Sequence, residues 1–131
     1  MIFMHHLPIK CGLLETEVDG FIGKKLLGSV ISKQHHVEKI ICGYIHVPIN
    51  TSWNDTVIST APSMGMQLVL DLTLKRESEF VLETPAYHLN YWTPEKNLFT
   101  RAVVVKPVDG PYLFEEQDVI RSQQPYTLFY P

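Results

Sequence analysis

Residues 19–42 read DGFIGKKLLGSVISKQHHVEKIIC, and the order of patterns within them decides the fold class. Ile22, Leu26, Leu27, Val30 and Ile31 recur at +4, +5, +8 and +9, which places one apolar stripe on a helix. The spacing predicts a helix from about Asp19 to Lys33, with Asp19 as N-cap and Lys33 at the end where a cation suits the helix dipole. Val37 to Cys42 follows as a β-branched apolar strand, and Ile2-Phe3-Met4 before the helix reads as the end of a buried strand. Strand, helix, strand is the local signature of an α/β unit.

Working outward, the rest of the chain is rich in strand patterns. Thr56-Val57-Ile58 follows Asn54-Asp55, a turn pair, and Gln67 to Leu74 alternates as a half-buried strand does. Phe80-Val81-Leu82, Tyr87 to Trp92 and Leu98 to Val105 extend the series. Turn chemistry fills the intervals at Arg76-Glu77-Ser78, Thr93 to Asn97 and Asp109-Gly110-Pro111. From about Glu115 the hydrophobic periodicity is lost, so 115–131 is expected to be a tail. No internal repeat or interdomain linker breaks residues 1–114, which read as one unit.

Composition narrows the class of protein. At 131 residues with 45% hydrophobic content, the chain has enough apolar material for one core, which argues against disorder throughout. A net charge of -3 argues against a nucleic-acid partner, which calls for a basic surface. The longest apolar runs, such as Ala102 to Val105, fall far short of the roughly 20 residues of a membrane helix. Cys11 and Cys42 are too few for a disulfide framework and form no C-x-x-C pair. The N-terminal segment has no charged leader and Pro8 interrupts it, so the cytoplasm, with both thiols reduced, is the expected compartment.

Histidine is unevenly distributed. His5-His6 directly follows the first strand, and His46 follows the second within Cys42-Gly43-Tyr44-Ile45-His46. Ligands in α/β sheets bind beyond the carboxyl ends of parallel strands, so these histidines are positioned to converge on one site. Gly43 suits a turn where the backbone leaves a strand. His35-His36 falls where the helix should end and reads as solvated surface. Cys42-x-x-x-His46 has zinc-like spacing but lacks a second ligand pair. Arg101 and Lys106 read as strand-edge residues, and Tyr87, Tyr91, Trp92 and Phe99 as sheet packing.

Three segments taken together carry a resemblance. Phe3-Met4-His5-His6-Leu7-Pro8, then Ile40-Ile41-Cys42-Gly43-Tyr44-Ile45-His46, then Ser59-Thr60-Ala61-Pro62-Ser63 occur in this order around the predicted helix. The set resembles the C-terminal part of calcineurin-like metallophosphoesterases, closest to the cyclic-nucleotide and glycerophosphodiester phosphodiesterase branch. Phe80 to Glu83, Tyr91-Trp92-Thr93 and Gly110-Pro111-Tyr112 fit that branch as well. The resemblance implies the C-terminal half of a two-sheet αββα sandwich, an α/β (α+β) fold with one main helix followed by a β-rich tail. It also implies two divalent metals, manganese or iron, which lower the pKa of a bridging water and neutralise phosphoryl charge.

By the same resemblance, His5 occupies a position that binds the second metal and His46 one that binds the first. His6 falls beside the ligands rather than among them. Tyr44 stands where the family's G-H-x-H motif has its first histidine, another ligand. The family's Asp-x-His and Asn-His ligand motifs occur nowhere in these residues. A phenol with a pKa of about 10 is a poor replacement for imidazole toward divalent metals at neutral pH. A truncated or degenerate relative is therefore expected, with no or weak metal binding and no complete catalytic set by itself. The alternatives are a half-site enzyme completed by another chain and a non-enzymatic interaction module. Expected partners are a phosphodiester or cyclic nucleotide once complemented, a complementing chain or a second copy, and neither nucleic acid nor membrane. An unpaired strand edge and an uncovered apolar face are expected to drive that association.

Overall fold

The computed structural model describes residues 1–75 and 77–106, and of Glu15, Val18 and Asp19 the backbone alone. Strand β1 (Ile2–Met4) leads into helices α1 (Leu14–Asp19) and α2 (Lys24–Ile31). Strands β2 (Lys39–Cys42), β3 (Ile49–Trp53), β4 (Thr56–Thr60), β5 (Met66–Leu68), β6 (Phe80–Leu82), β7 (Ala86–Trp92) and β8 (Leu98–Val104) follow. The architecture is mixed α/β, with a main helix and strands in sheets. The expected 115–131 tail and the Gly110-Pro111-Tyr112 segment lie outside the described residues.

The central sheet has the order β1-β2-β4-β3. β1, β2 and β4 are parallel, and β3 returns antiparallel to β4. β3 is an addition to the sequence reading, which recognised the Asn54-Asp55 turn without the strand before it. Asn54 and Asp55 have φ of 48° and 61°. Positive φ at both central residues is what a type I′ hairpin turn needs, and its twist matches that of the two strands.

Strand register separates the two faces of this sheet. Ile2, Ile40 and Ile58 align across it, as do Met4, Cys42 and Thr60. Ile40 and Ile58 are completely buried, and with Leu7, Leu13, Ile31, Val37, Cys42 and Ile45 they form the core. Burying each isoleucine contributes about 1.5–3 kcal/mol. The opposite face carries Phe3, Ile41, Ser59, Lys39 and Val57. The antiparallel β7–β8 ribbon meets this face where Lys39 Nζ donates to Asn90 Oδ1 and Thr100 Oγ1. A second ribbon pairs β5 with β6.

Three expectations are corrected here. The predicted helix over 19–33 is two helices, with Asp19 ending α1 rather than capping α2. The break lies at Gly20 and Gly23, whose φ of 61° and 97° leave the helical region. The apolar stripe is also divided: Ile31 is buried and Leu27 packs on the core, while Ile22 is 98% and Leu26 72% exposed. Strand character in 67–74 stops at Leu68, and Asp71 accepts hydrogen bonds from the Thr73 N–H at 2.9 Å and hydroxyl at 2.6 Å. That local turn competes with strand pairing. Phe3, read within a buried strand, is 72% exposed because β1 lies at the sheet edge.

Candidate functional site

The carboxyl ends of β1, β2 and β4 lie at one end of the sheet, because all three strands are parallel. His5 and His6 follow β1, the Gly43–His46 loop follows β2, and Ser63 follows β4. The loop is joined to the end of β1 by the Gly43 N–H, which donates to the His5 carbonyl at 3.0 Å. A Cβ at position 43 would lie 3.3 Å from His5 Nδ1 and 3.7 Å from His5 O, so a side chain there would crowd the histidine.

Beyond Gly43 the loop turns sharply. The Ile45 N–H donates to the Gly43 carbonyl at 2.9 Å, closing a γ-turn around Tyr44, whose φ is 72°. His46 follows with φ of 51°. Such conformations cost roughly 1–3 kcal/mol each and persist where the surroundings over-determine them. Ile45, completely buried between them, supplies that anchor and leaves His46 exposed and Tyr44 half-buried. Thr60 secures the far side: its hydroxyl donates to the Val47 carbonyl and accepts from the Ile49 N–H at 2.8 Å.

Three rings cluster at this edge. The His5 and His6 imidazoles meet edge-on with centroids 4.8 Å apart. The Tyr44 ring lies 4.6 Å from His6 and 5.6 Å from His5. His46 makes different contacts, with Nδ1 3.3 Å from the Met66 carbonyl oxygen and 3.4 Å from Ser63 Oγ. A carbonyl only accepts, so a hydrogen bond to Met66 has the Nδ1–H as its donor. Ser63 belongs to a segment quoted for the resemblance but given no role there. Met66 contributes through its backbone, which no side-chain pattern signals.

The remaining candidates lie apart from this cluster. His35 and His36 are exposed beyond α2, and Arg101 is exposed on β8 with Lys106 just past its end. Tyr91 and Phe99 stack across the β7–β8 ribbon at 5.7 Å. Cys42 is a core thiol whose pKa burial raises to about 11, which makes it a poor ligand and nucleophile at neutral pH. Cys11 places its Sγ 3.4 Å from Thr16 Oγ1. Among the described residues no three His, Cys, Asp or Glu side chains converge to hold a metal. The described residues therefore do not by themselves fit a two-metal site.

No family model matches the chain. A probable glycerophosphodiester phosphodiesterase GpdQ of Arcobacter nitrofigilis is 36% identical over 115 residues, covering 87% of this chain and 42% of that protein. The 3',5'-cyclic adenosine monophosphate phosphodiesterase CpdA of Escherichia coli K12 is 27% identical over 67 residues, covering 51% of this chain and 24% of that protein. The CpdA of Escherichia coli O157:H7 matches to the same extent. The chain thus spans less than half the length of the curated relatives it matches. These phosphodiesterases are generally metal-dependent. Over the part of their length that it spans, the chain is a homologue of phosphodiesterases of the metallophosphoesterase family.

Proposed function

We propose that this chain contributes strand-end histidines to a metal-dependent phosphodiesterase site and does not hydrolyse phosphodiesters by itself. One observation carries the reading: the Tyr44 phenol packs against His5 and His6 at the sheet edge, where the family motif calls for an imidazole. His5 and His46 are the proposed metal-binding positions, with manganese or iron as the metal and His6 in support. Further ligands would come from residues beyond those described, and a phosphodiester or cyclic nucleotide would be the substrate of the completed site. Nucleic acid and membrane are not proposed as partners. Among the described residues no helix is long and apolar enough to cross a membrane. The cytoplasm is the proposed compartment, in keeping with two free cysteines.

The test is hydrolysis of bis(p-nitrophenyl) phosphate and cyclic AMP by the purified chain with manganese. The expected rate equals the metal-only blank. Turnover well above that blank, lost in His46→Ala, would overturn the reading. A second reading, a non-enzymatic association module, is favoured by the exposed Ile22, Leu26 and Val30 on and before α2. Under that reading, a polypeptide supplying the missing ligands restores no hydrolysis, even with Tyr44→His.

A further inference from the structure

Lys39 opens strand β2 ahead of Ile40, Ile41 and Cys42, and only 6% of it is exposed. Its side chain lies between the central sheet and the β7–β8 ribbon. Nζ donates to Asn90 Oδ1 at 3.2 Å and to Thr100 Oγ1, and the Thr100 hydroxyl donates to Asn90 Oδ1 at 2.7 Å. Both acceptors are neutral. Among the described residues the ion pair formed by a lysine is Lys10 with Glu17, far from this position. Two titratable groups stand nearby. Glu38 is exposed and lines the same cleft, and His88 faces Lys39 from β7, its pKa lowered first by burial and then by the charge Lys39 carries when protonated.

A buried ammonium without an anion is costly, and the neutral amine costs less. Burial lowers the Lys39 pKa in keeping with this. A neutral amine has two N–H groups and one lone pair. Asn90 and Thr100 accept from the Lys39 amine, and Lys39 also lines the cleft beside them, where that lone pair becomes usable once the proton is lost. That cleft, of about 270 Å³, is lined by Glu38, Lys39, Val57, Leu98 and Thr100. Val57 and Leu98 give it apolar walls, and its volume suits a small molecule.

We infer that Lys39 is a nucleophilic amine that captures small apolar aldehydes as imines within this cleft. The nitrogen lone pair forms a C–N bond to the carbonyl carbon as the C=O π pair moves to oxygen. One nitrogen proton passes to that oxygen, giving a carbinolamine. The hydroxyl then leaves with the second nitrogen proton as water, and the nitrogen pair closes the C=N bond. Amine and aldehyde thus become imine and water, with no oxidant or reductant required.

The test uses the folded full chain with propionaldehyde and sodium cyanoborohydride at pH 7, which reduces each imine to a stable propyl-lysine. Peptide mass spectrometry then gives the rate at each lysine. Lys39 is expected to react several-fold faster than exposed Lys24, Lys25 and Lys33. A rate at Lys39 equal to or below theirs overturns the inference. Asn90→Asp sets a carboxylate against the amine and holds its proton. In that variant the Lys39 rate is expected to fall several-fold while the other lysines and the circular dichroism spectrum stay unchanged. An unchanged Lys39 rate in the folded variant would also count against the inference.

Discussion

Cys42 illustrates how burial sets chemistry at the scale of a single residue. It closes β2 inside the core, and burial raises its thiol pKa from 9.0 to about 11. As pH rises past 9.0 the unfolded thiol ionises while the folded one keeps its proton. The folded state then binds more protons, so stability falls with rising pH. The expected outcome is that the melting temperature of the wild type declines relative to Cys42→Ala between pH 9.0 and about 11, with a constant gap below that window. Lys39 shifts in the opposite direction but is common to both proteins, so the comparison cancels it. Scanning calorimetry across this range provides the measurement, and a gap that stays constant throughout would contradict the buried-thiol account. The sequence placed Cys42 at the end of an apolar strand. It gave no signal that Lys39, a charged residue, is buried, because that burial depends on a ribbon some 50 residues later.

At the scale of elements, local chemistry and tertiary context reach different outcomes in different segments. The β3–β4 hairpin is locally encoded, since Asn54 and Asp55 are residue types that tolerate positive φ. Aspartate still incurs some strain at φ of 61°, and glycine at that position would not. Asp55→Gly is expected to stabilise the protein by roughly 0.5–1 kcal/mol, measured as a higher urea midpoint with an unchanged slope. The change should not disturb packing, because Asp55 is exposed. The helical segment behaves otherwise. Its 3.6-residue periodicity was legible, but periodicity alone does not show which half of a broad apolar stripe meets the sheet. Gly20 and Gly23 divide the segment, and within α2 Leu27, Gly28 and Ile31 turn inward.

At the scale of the whole molecule, the described residues leave large apolar side chains uncovered on several elements. Ile22 is almost wholly and Leu26 largely exposed, and among the described residues Phe3 stands on an edge strand of the sheet. Contiguous apolar surface and an open strand edge both favour association. Light scattering at high protein concentration is expected to report species larger than a monomer, and the double variant Ile22→Glu with Leu26→Glu should shift them toward the monomer. A wild-type chain that stays monomeric at such concentrations would remove this support for a partner. The site belongs to the same scale. His5 and His46 are 41 positions apart in the chain, and parallel pairing of β1 with β2 brings their strand ends to one edge.

Taken alone, the sequence determined the strand–helix–strand start, the Asn54-Asp55 turn, the apolar strand patterns of β2 and β4 and the strand-end positions of the histidines. Each follows from short-range periodicity or from the backbone preferences of a few residues. Only the tertiary structure decided that Tyr44 closes a γ-turn against His5 and His6, that Met66 and Ser63 hold His46, and that Lys39 is buried against Asn90 and Thr100. Those contacts join residues 17 to 61 positions apart in the case of His46 and Lys39, and 38 or 39 apart for the tyrosine and the two histidines. Strand order and register create such proximities, and no local pattern of side chains encodes them.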